Sequence, residues 1–276
     1  MSTAIDLDEY LVPGTSNTYY IPEFVTEEEE EFLIRKIHEA PQPWWKRLAN
    51  RRLQIWGGDL TAKKALIPQD MPPFVNQYPD IVGRIRETGA FKGSAHHQPN
   101  HIIMNEYAPG QGIMPHEDGP AYHPVVATLS LGSHTVFHYY KYRSDDSESG
   151  AQTQSGQSAG TTTAAGPLMV SGAGKPIDPT PVLSLLLEPR SLVITTSSLY
   201  TAHLHGIDEL LEDKFVEDGR PPQERIANFD MLREGAEKAA VASGGILERG
   251  MRFSLTCRDV EKVHAGGGAL FKKLRG

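Results

Sequence analysis

The chain has one cysteine, Cys257, among 276 residues. That excludes an internal disulfide framework and points to a reducing compartment. No apolar run reaches the roughly 20 residues needed to cross a bilayer. The start, Met1-Ser2-Thr3-Ala4-Ile5-Asp6, lacks the basic and apolar segments of a secretory leader. A soluble intracellular protein of cytoplasm and nucleus is expected, with no membrane partner. Positive charge is also in deficit. A formal net charge of −8 argues against simple electrostatic attachment to a polyanion.

The deficit is uneven. Residues 1–40 carry ten acids against Arg35 and Lys36. Residues 44–64 carry Lys46, Arg47, Arg51, Arg52, Lys63 and Lys64 against Asp59 alone, and the end from Arg249 is basic. Local charge decides contact with phosphates, so these stretches keep a nucleic-acid partner open.

The length suits one domain with insertions, and no internal repeat is present. Residues 1–18 lack periodicity and read as a flexible arm. Tyr19 to Val25 reads as a short strand. Thr26 followed by Glu29 is a capping-box signature for a helix over 27–39, with Phe32, Leu33 and Ile37 as its buried stripe. Trp44 to Gly58 predicts a hairpin or extended loop, and a second helix is expected around 72–88. From residue 100 short strands take over, at 101–107, 113–118, 124–131, 134–142, 182–187, 190–196, 201–206 and 251–258. Residues 144–180, rich in Ser, Gly, Thr, Ala and Gln, predict a flexible insertion. Residues 208–248, acidic and weakly helical near 230–242, predict a second, peripheral one. The fold class is therefore α+β: a double-stranded β-helix (jelly-roll) core flanked by N-terminal helices and broken by two flexible insertions. Residues 19–98 form the N-terminal extension and 99–276 the core domain.

His116-Glu117-Asp118 carries the chemistry. On a strand, residues i and i+2 share a face about 7 Å apart, so His116 and Asp118 can close on one metal ion while Glu117 turns away. Two histidines and one carboxylate on one side of a metal make the facial triad of non-haem Fe(II) oxygenases. The other histidine must come from afar. His203 and His205 are both candidates, and His205 is favoured because Gly206 beside it permits close backbone approach. His-x-Asp alone is a weak signal in a chain with 11 histidines.

The context strengthens it. Asn105 and Tyr107 share one face of the 101–107 strand. From Arg252 to Arg258 alternation is strict: Arg252, Ser254, Thr256 and Arg258 on one face, Phe253, Leu255 and Cys257 on the other. Two guanidiniums backed by an apolar face need an anion, and a dicarboxylate held by bidentate pairing would supply it. The bland alternatives are a solvated strand face, or a nucleic-acid patch joined by Arg249. Trp44, Trp45 and Trp56 interleave with basic residues as base-stacking platforms do, although core burial is the commoner fate of tryptophan.

Taken in order, Asn105-x-Tyr107, His116-x-Asp118, His205 and Arg252-x-Ser254-x-Thr256-x-Arg258 resemble the AlkB-type Fe(II)- and 2-oxoglutarate-dependent dioxygenases. The likeness is nearest the AlkB homologue six branch. Arg51 to Gly58, Gly112 to Pro120, Leu129 to Val136, Ser184 to Leu192 and Leu204 to Ile207 extend it, so that it covers about residues 19–144 and 182–265. The resemblance implies Fe(II), 2-oxoglutarate and dioxygen as reagents, and His116, Asp118 and His205 as iron ligands and catalytic centre. It implies Arg252 and Tyr107 at the far carboxylate of 2-oxoglutarate, with Asn105 and Arg258 nearer the metal. Ser254 stands where several relatives have asparagine. The Trp44–Gly58 stretch matches the substrate lid, with Arg51, Arg52, Gln54 and Trp56 as candidate substrate residues.

The implied reaction converts 2-oxoglutarate and dioxygen to succinate and carbon dioxide while a substrate C–H bond is hydroxylated. On an N-methylated base of RNA or DNA the product then loses formaldehyde. The alternatives are hydroxylation of a protein side chain, a non-catalytic nucleic-acid or protein reader on the same fold, and a cupin-like zinc hydrolase. The last sits poorly with two inward arginines.

Overall fold

The computed structural model describes residues 5–16, 18–143, 174–216 and 221–264. A short strand, β1 (Thr18–Ile21), leads into α1 (Glu27–Glu39). The Thr26 hydroxyl accepts from the Glu29 amide and the Glu29 carboxylate from the Thr26 amide, closing the capping box. Leu33 and Ile37 are fully buried, but Phe32 is only partly covered. Part of the inward face is instead ionic, since Glu29 pairs with Arg84 and Glu30 with Arg190.

The Trp44–Gly58 stretch is a hairpin of β2 (Lys46–Leu48) and β3 (Arg51–Trp56). A second small ladder follows, β4 (Gly58–Leu60) against β5 (Leu66–Pro68). The single helix expected over 72–88 is two, α2 (Pro73–Asn76) and α3 (Ile81–Glu87). Pro79 breaks it, because proline has no amide hydrogen and disfavours helical backbone before it. Asp80 then caps α3 by accepting from the Gly83 amide at 3.0 Å.

Beyond residue 100 come β6 (His101–Tyr107), β7 (Ile113–His116), β8 (Tyr122–Leu131), β9 (Thr135–Tyr140), β10 (Leu183–Leu187) and β11 (Leu192–Thr196). The helical turn α4 (Ser197–Thr201) delays β12 (Leu204–Ile207) relative to its expected start. The chain continues through β13 (Glu212–Lys214), α5 (Pro222–Arg225), α6 (Ala236–Ser243), β14 (Ile246–Glu248) and β15 (Arg252–Val260). A seven-stranded antiparallel sheet runs β1-β11-β8-β15-β6-β3-β2, and a four-stranded one runs β10-β9-β12-β7.

Strand periodicity splits the large sheet into two faces. Ile102, Met104, Ala127, Leu129, Phe253, Leu255 and Cys257 pack outward against Leu33 and Ile37 of α1 and Ile81 and Ile85 of α3. Each such aliphatic burial contributes about 1.5–3 kcal/mol. The other face is mostly polar, with Leu53, Ile103, Val126 and Val193 as its aliphatic members, and looks toward the small sheet across a cavity. A second core, with Phe137, Tyr139, Leu185, Leu187 and Val193, surrounds the small sheet.

Three segments depart from expectation. The arm expected over 1–18 is docked where it is described: Val12 is fully buried, and Ile5, Leu7 and Tyr10 pack on the outer core. Residues 208–248 are not peripheral. Phe215, Ile226, Leu232 and Val241 enter the second core, and buried Asp213 pairs with Arg249 at 2.7 Å. Their apolar residues are too sparse for a periodic signal but fall where the small sheet needs cover. The insertion expected over 144–180 lies outside the described residues up to 173. From there Ile177 is buried and bridges to Tyr142. No helix of the described residues is long and apolar enough to cross a membrane.

Candidate active site

All nine residues of β15 are buried, although every second one on its inner face is polar. Arg252, Ser254, Thr256 and Arg258 border a cavity of about 220 Å³ between the two sheets. In an antiparallel ladder, directly paired residues share a face. The register therefore lays out rows: Arg252 beside Tyr107, Ser254 between Asn105 and Ser130, Thr256 beside Thr128. Arg252 donates from Nη2 to the Ser130 hydroxyl at 2.8 Å. Its Nε and Nη1 are buried with no partner, and its guanidinium lies 5.6 Å from the centre of the Tyr107 ring. Burial pushes the Arg252 pKa down to about 10, so it remains a cation at neutral pH. A buried, half-satisfied guanidinium is costly unless an anion completes it.

On the small sheet, β7 ends at His116, and Asp118 lies in the loop just beyond, where Gly119 at φ 85° and Pro120 turn the chain. β12 pairs with β7 so that His205 stands opposite His116. Gly206 permits this approach, since a Cβ there would meet Ile113 O and Pro115 N at 3.1 Å. One donor atom each from His116, Asp118 and His205 lie within 4.8 Å of one another. His116 Nδ1 donates to the Met114 carbonyl at 2.9 Å, which leaves Nε2 available to a metal. Phe137 stacks on His205 with ring centres 5.4 Å apart.

The charges suit a cation. Burial pushes the Asp118 carboxyl up, but Arg258 and then His205 outweigh it and hold the group below its ordinary range. Burial, then His205, pushes the His116 pKa down to about 3, and burial also lowers His205. At neutral pH the site presents two neutral imidazoles and a carboxylate, the protonation state a divalent metal requires. Asp118 Oδ1 accepts from Arg258 while Oδ2 is buried without a partner. This donor set fits one iron bound from one side, and the unpartnered Arg252 nitrogens fit a small dicarboxylate beside it.

The structure assembles most of the predicted site. His116, Asp118, His205, Asn105, Tyr107, Arg252, Ser254 and Arg258 all border the cavity, and so does Arg51. His203 does not: it is half-buried and bonded through Nδ1 to the Ser198 carbonyl at 2.9 Å. Arg52, Gln54 and Trp56 correct the substrate assignment, because they lie on the opposite face of β3 from Arg51 and Leu53. Arg52 pairs with Glu106 and stacks 3.9 Å from the Trp45 ring. Gln54 is fully buried and donates to the Ile37 carbonyl, and Trp56 is in the outer core. Arg51 stands an odd number of steps from Arg52, Gln54 and Trp56, so the four cannot all face one cavity from a single strand.

Other residues of the site were not anticipated. Ser130 binds Arg252, Tyr122 lies 5.0 Å below the Arg258 guanidinium, and Phe137 supports His205. The alternation Val126, Thr128, Ser130 against Val125, Ala127, Leu129 in β8 was the available signal. Glu117 is not part of the triad and accepts from Tyr142 at 2.8 Å, but it does not turn fully away, since it too borders the cavity.

A family model described as the 2OG-Fe(II) oxygenase superfamily matches residues 17–258. The chain belongs to this superfamily. Among curated proteins, the probable RNA/DNA demethylase ALKBH6 of Danio rerio is 36% identical over 260 residues, 94% of this chain and 92% of that one. With that match, this oxygenase is of the AlkB type, on the homologue six branch. The tRNA (carboxymethyluridine(34)-5-O)-methyltransferase ALKBH8 of Macaca fascicularis is 29% identical over 43% of this chain and 18% of its own. The solved structure of OsALKBH1 is 13% identical and covers 89% of this oxygenase and 99% of its own chain, at a TM-score of 0.47. Superfamily membership implies Fe(II), 2-oxoglutarate and dioxygen, and the His116–Asp118–His205 cluster is consistent with all three.

Proposed function

We propose that this chain oxidatively demethylates N-alkylated bases in RNA or DNA, with His116, Asp118 and His205 holding the iron. The observation that carries it is the convergence of those three donors beside a buried guanidinium whose Nε and Nη1 lack partners. Arg252, steadied by Ser130 and flanked by Tyr107, takes the far carboxylate of 2-oxoglutarate. Asn105 and Arg258 stand at the end nearer the metal, and Ser254 lies between the rows. The facing sheets act as a double-stranded β-helix core. Residues 19–98 act as the extension that carries the substrate lid, and 99–276 as the catalytic domain.

When bound, iron with 2-oxoglutarate and dioxygen supplies the power to hydroxylate a methyl group on nitrogen, and the hydroxymethyl product leaves as formaldehyde. The chain's own part is to orient and to exclude water. His116 is locked by its bond to the Met114 carbonyl, His205 by Phe137, and Asp118 by Arg258. What supports a nucleic acid is local charge. Lys46 pairs in register with Leu53 and Leu48 with Arg51, so the cavity face of the sheet continues onto exposed β2 through Lys46, which also lies 3.8 Å from Asp59, while Arg47 adds an exposed cation on the opposite face. A base must be flipped out or taken from a single strand to reach the cavity. The relative from Danio rerio carries a name of the same kind.

The test is succinate release by the iron-loaded protein across methylated RNA and DNA oligonucleotides and a set of peptides. Turnover on the oligonucleotides with formaldehyde production is expected. Turnover on peptides alone would replace this proposal with protein hydroxylation.

A further inference from the structure

We infer that Arg51 is a second arginine for the far carboxylate of 2-oxoglutarate, so that binding the co-substrate also fastens the β2–β3 hairpin over the cavity. The inference rests on the functional proposal above, and the register leads to it. The ladder of β3 with β6 ends at Arg52 opposite Glu106, with Leu53 opposite Asn105, and Arg51, the next residue out, comes close enough to act on the Tyr107 hydroxyl. On its other side Tyr107 pairs with Arg252. Arg51, Tyr107 and Arg252 thus lie on three neighbouring strands, and all three side chains border the cavity.

The bonding of Arg51 leaves it ready for a ligand. Its Nε donates to Asn105 Oδ1 at 3.0 Å, which aims the guanidinium along the cavity wall. No further hydrogen bond of its terminal nitrogens occurs among the described residues. Its neighbour Arg52, on the opposite face, is held in a two-point pair with Glu106 at 2.5 and 2.7 Å. Charge points the same way. Asp118 pairs with Arg258 through Nη2, leaving its Nε and Nη1 without partners, whereas Arg51 and Arg252 border the cavity with no carboxylate of their own. Both also draw the Tyr107 hydroxyl downward against the upward push of burial. A carboxylate has about four acceptor positions, enough for donors from two strands.

The consequence is mechanical. β2 is an edge strand that pairs with β3 alone, so the hairpin is anchored to the sheet from one side. A ligand gripped by Arg51 on β3 and Arg252 on β15 ties hairpin and core strands together without a new protein contact.

The experiment uses the full chain loaded with Mn(II), which binds the ligands without turnover. Calorimetric titration compares 2-oxoglutarate with 2-oxopentanoate, which keeps the 2-oxo acid end and replaces the far carboxylate with a methyl group. Arg51→Gln should weaken 2-oxoglutarate by roughly tenfold, the worth of one charge-assisted hydrogen bond, and leave 2-oxopentanoate unchanged. Arg51→Lys, which keeps the charge but not the fork, should fall between. Hydrogen exchange of residues 46–56 should slow on adding 2-oxoglutarate to the parent protein but not to Arg51→Gln. No loss of affinity, or equal loss for both ligands, overturns the inference and leaves the functional proposal standing. Failure of the parent protein to bind 2-oxoglutarate removes both.

Discussion

Arg258 and Asp118 form a buried ion pair across 140 residues of sequence, with the guanidinium Nη2 donating to Oδ1. The pair presets the metal site, because it holds Asp118 ionised and turns Oδ2 to the interior without a partner. Arg258→Gln leaves a buried carboxylate alone, at a cost of about 3–5 kcal/mol in the metal-free protein. A bound cation offsets that loss. Mn(II) should therefore raise the melting midpoint of Arg258→Gln more than that of the parent protein. Equal shifts in the two melts would count against the assignment.

His205 and His203 are two residues apart in sequence, yet only His205 meets the His116–Asp118 pair. His205→Ala should reduce succinate release beyond the roughly 10–100-fold that outer-shell partners of a metal cost. His203→Ala should retain parental activity, with both variants folded by circular dichroism. Metal retention in native mass spectrometry should follow the same split. A His203→Ala protein that lost its metal would reverse the choice.

Trp56 is 3% exposed, in the outer core against Phe74 at 5.2 Å. Trp56→Ala is expected to destabilise by about 3–5 kcal/mol. Trp56→Phe, which keeps most of the packing, should leave KM for any nucleic-acid substrate unaltered. A raised KM with unchanged stability in Trp56→Phe would return this residue to the substrate site.

His101 gives the fold an acid limb. Burial, with Arg258 nearby, pushes its pKa down to about 4. The unfolded chain has the ordinary histidine value near 6.5. Between those values the unfolded state binds a proton that the folded state refuses, so stability falls as pH drops through this window. The loss is complete below about pH 4 and absent above 6.5, and amounts to roughly 3 kcal/mol. His101→Gln should lack this component. Urea midpoints of the two proteins measured from pH 7 to 4.5 test it, and parallel curves would refute it.

Local periodicity made much of this molecule legible. The capping box at Thr26 needs three neighbouring residues, and the two faces of β15 follow from strict alternation, so both were open to inspection of the chain. The donors at 116 and 118 were legible from residue type and spacing, although the strand expected over 113–118 ends at His116 and Asp118 lies in the loop beyond it. The helix break at Pro79 was legible in principle, since a proline marks it. The docking of residues 5–16 and 208–248 was not. Their apolar groups, such as Val12, Phe215 and Val241, are scattered and acquire meaning only against a distant sheet.

By itself the sequence determined which residues share a face: Arg51 with Leu53, Arg52 with Gln54 and Trp56, Arg252 with Arg258. Alternation is a property of the backbone and requires no partner. Only the tertiary structure decided which face turns to the cavity and which histidine joins the triad. Those choices depend on what packs behind each strand. α1 and α3 cover the side of the large sheet that bears Trp56, and Gly206 lets β12 close on β7 at His205.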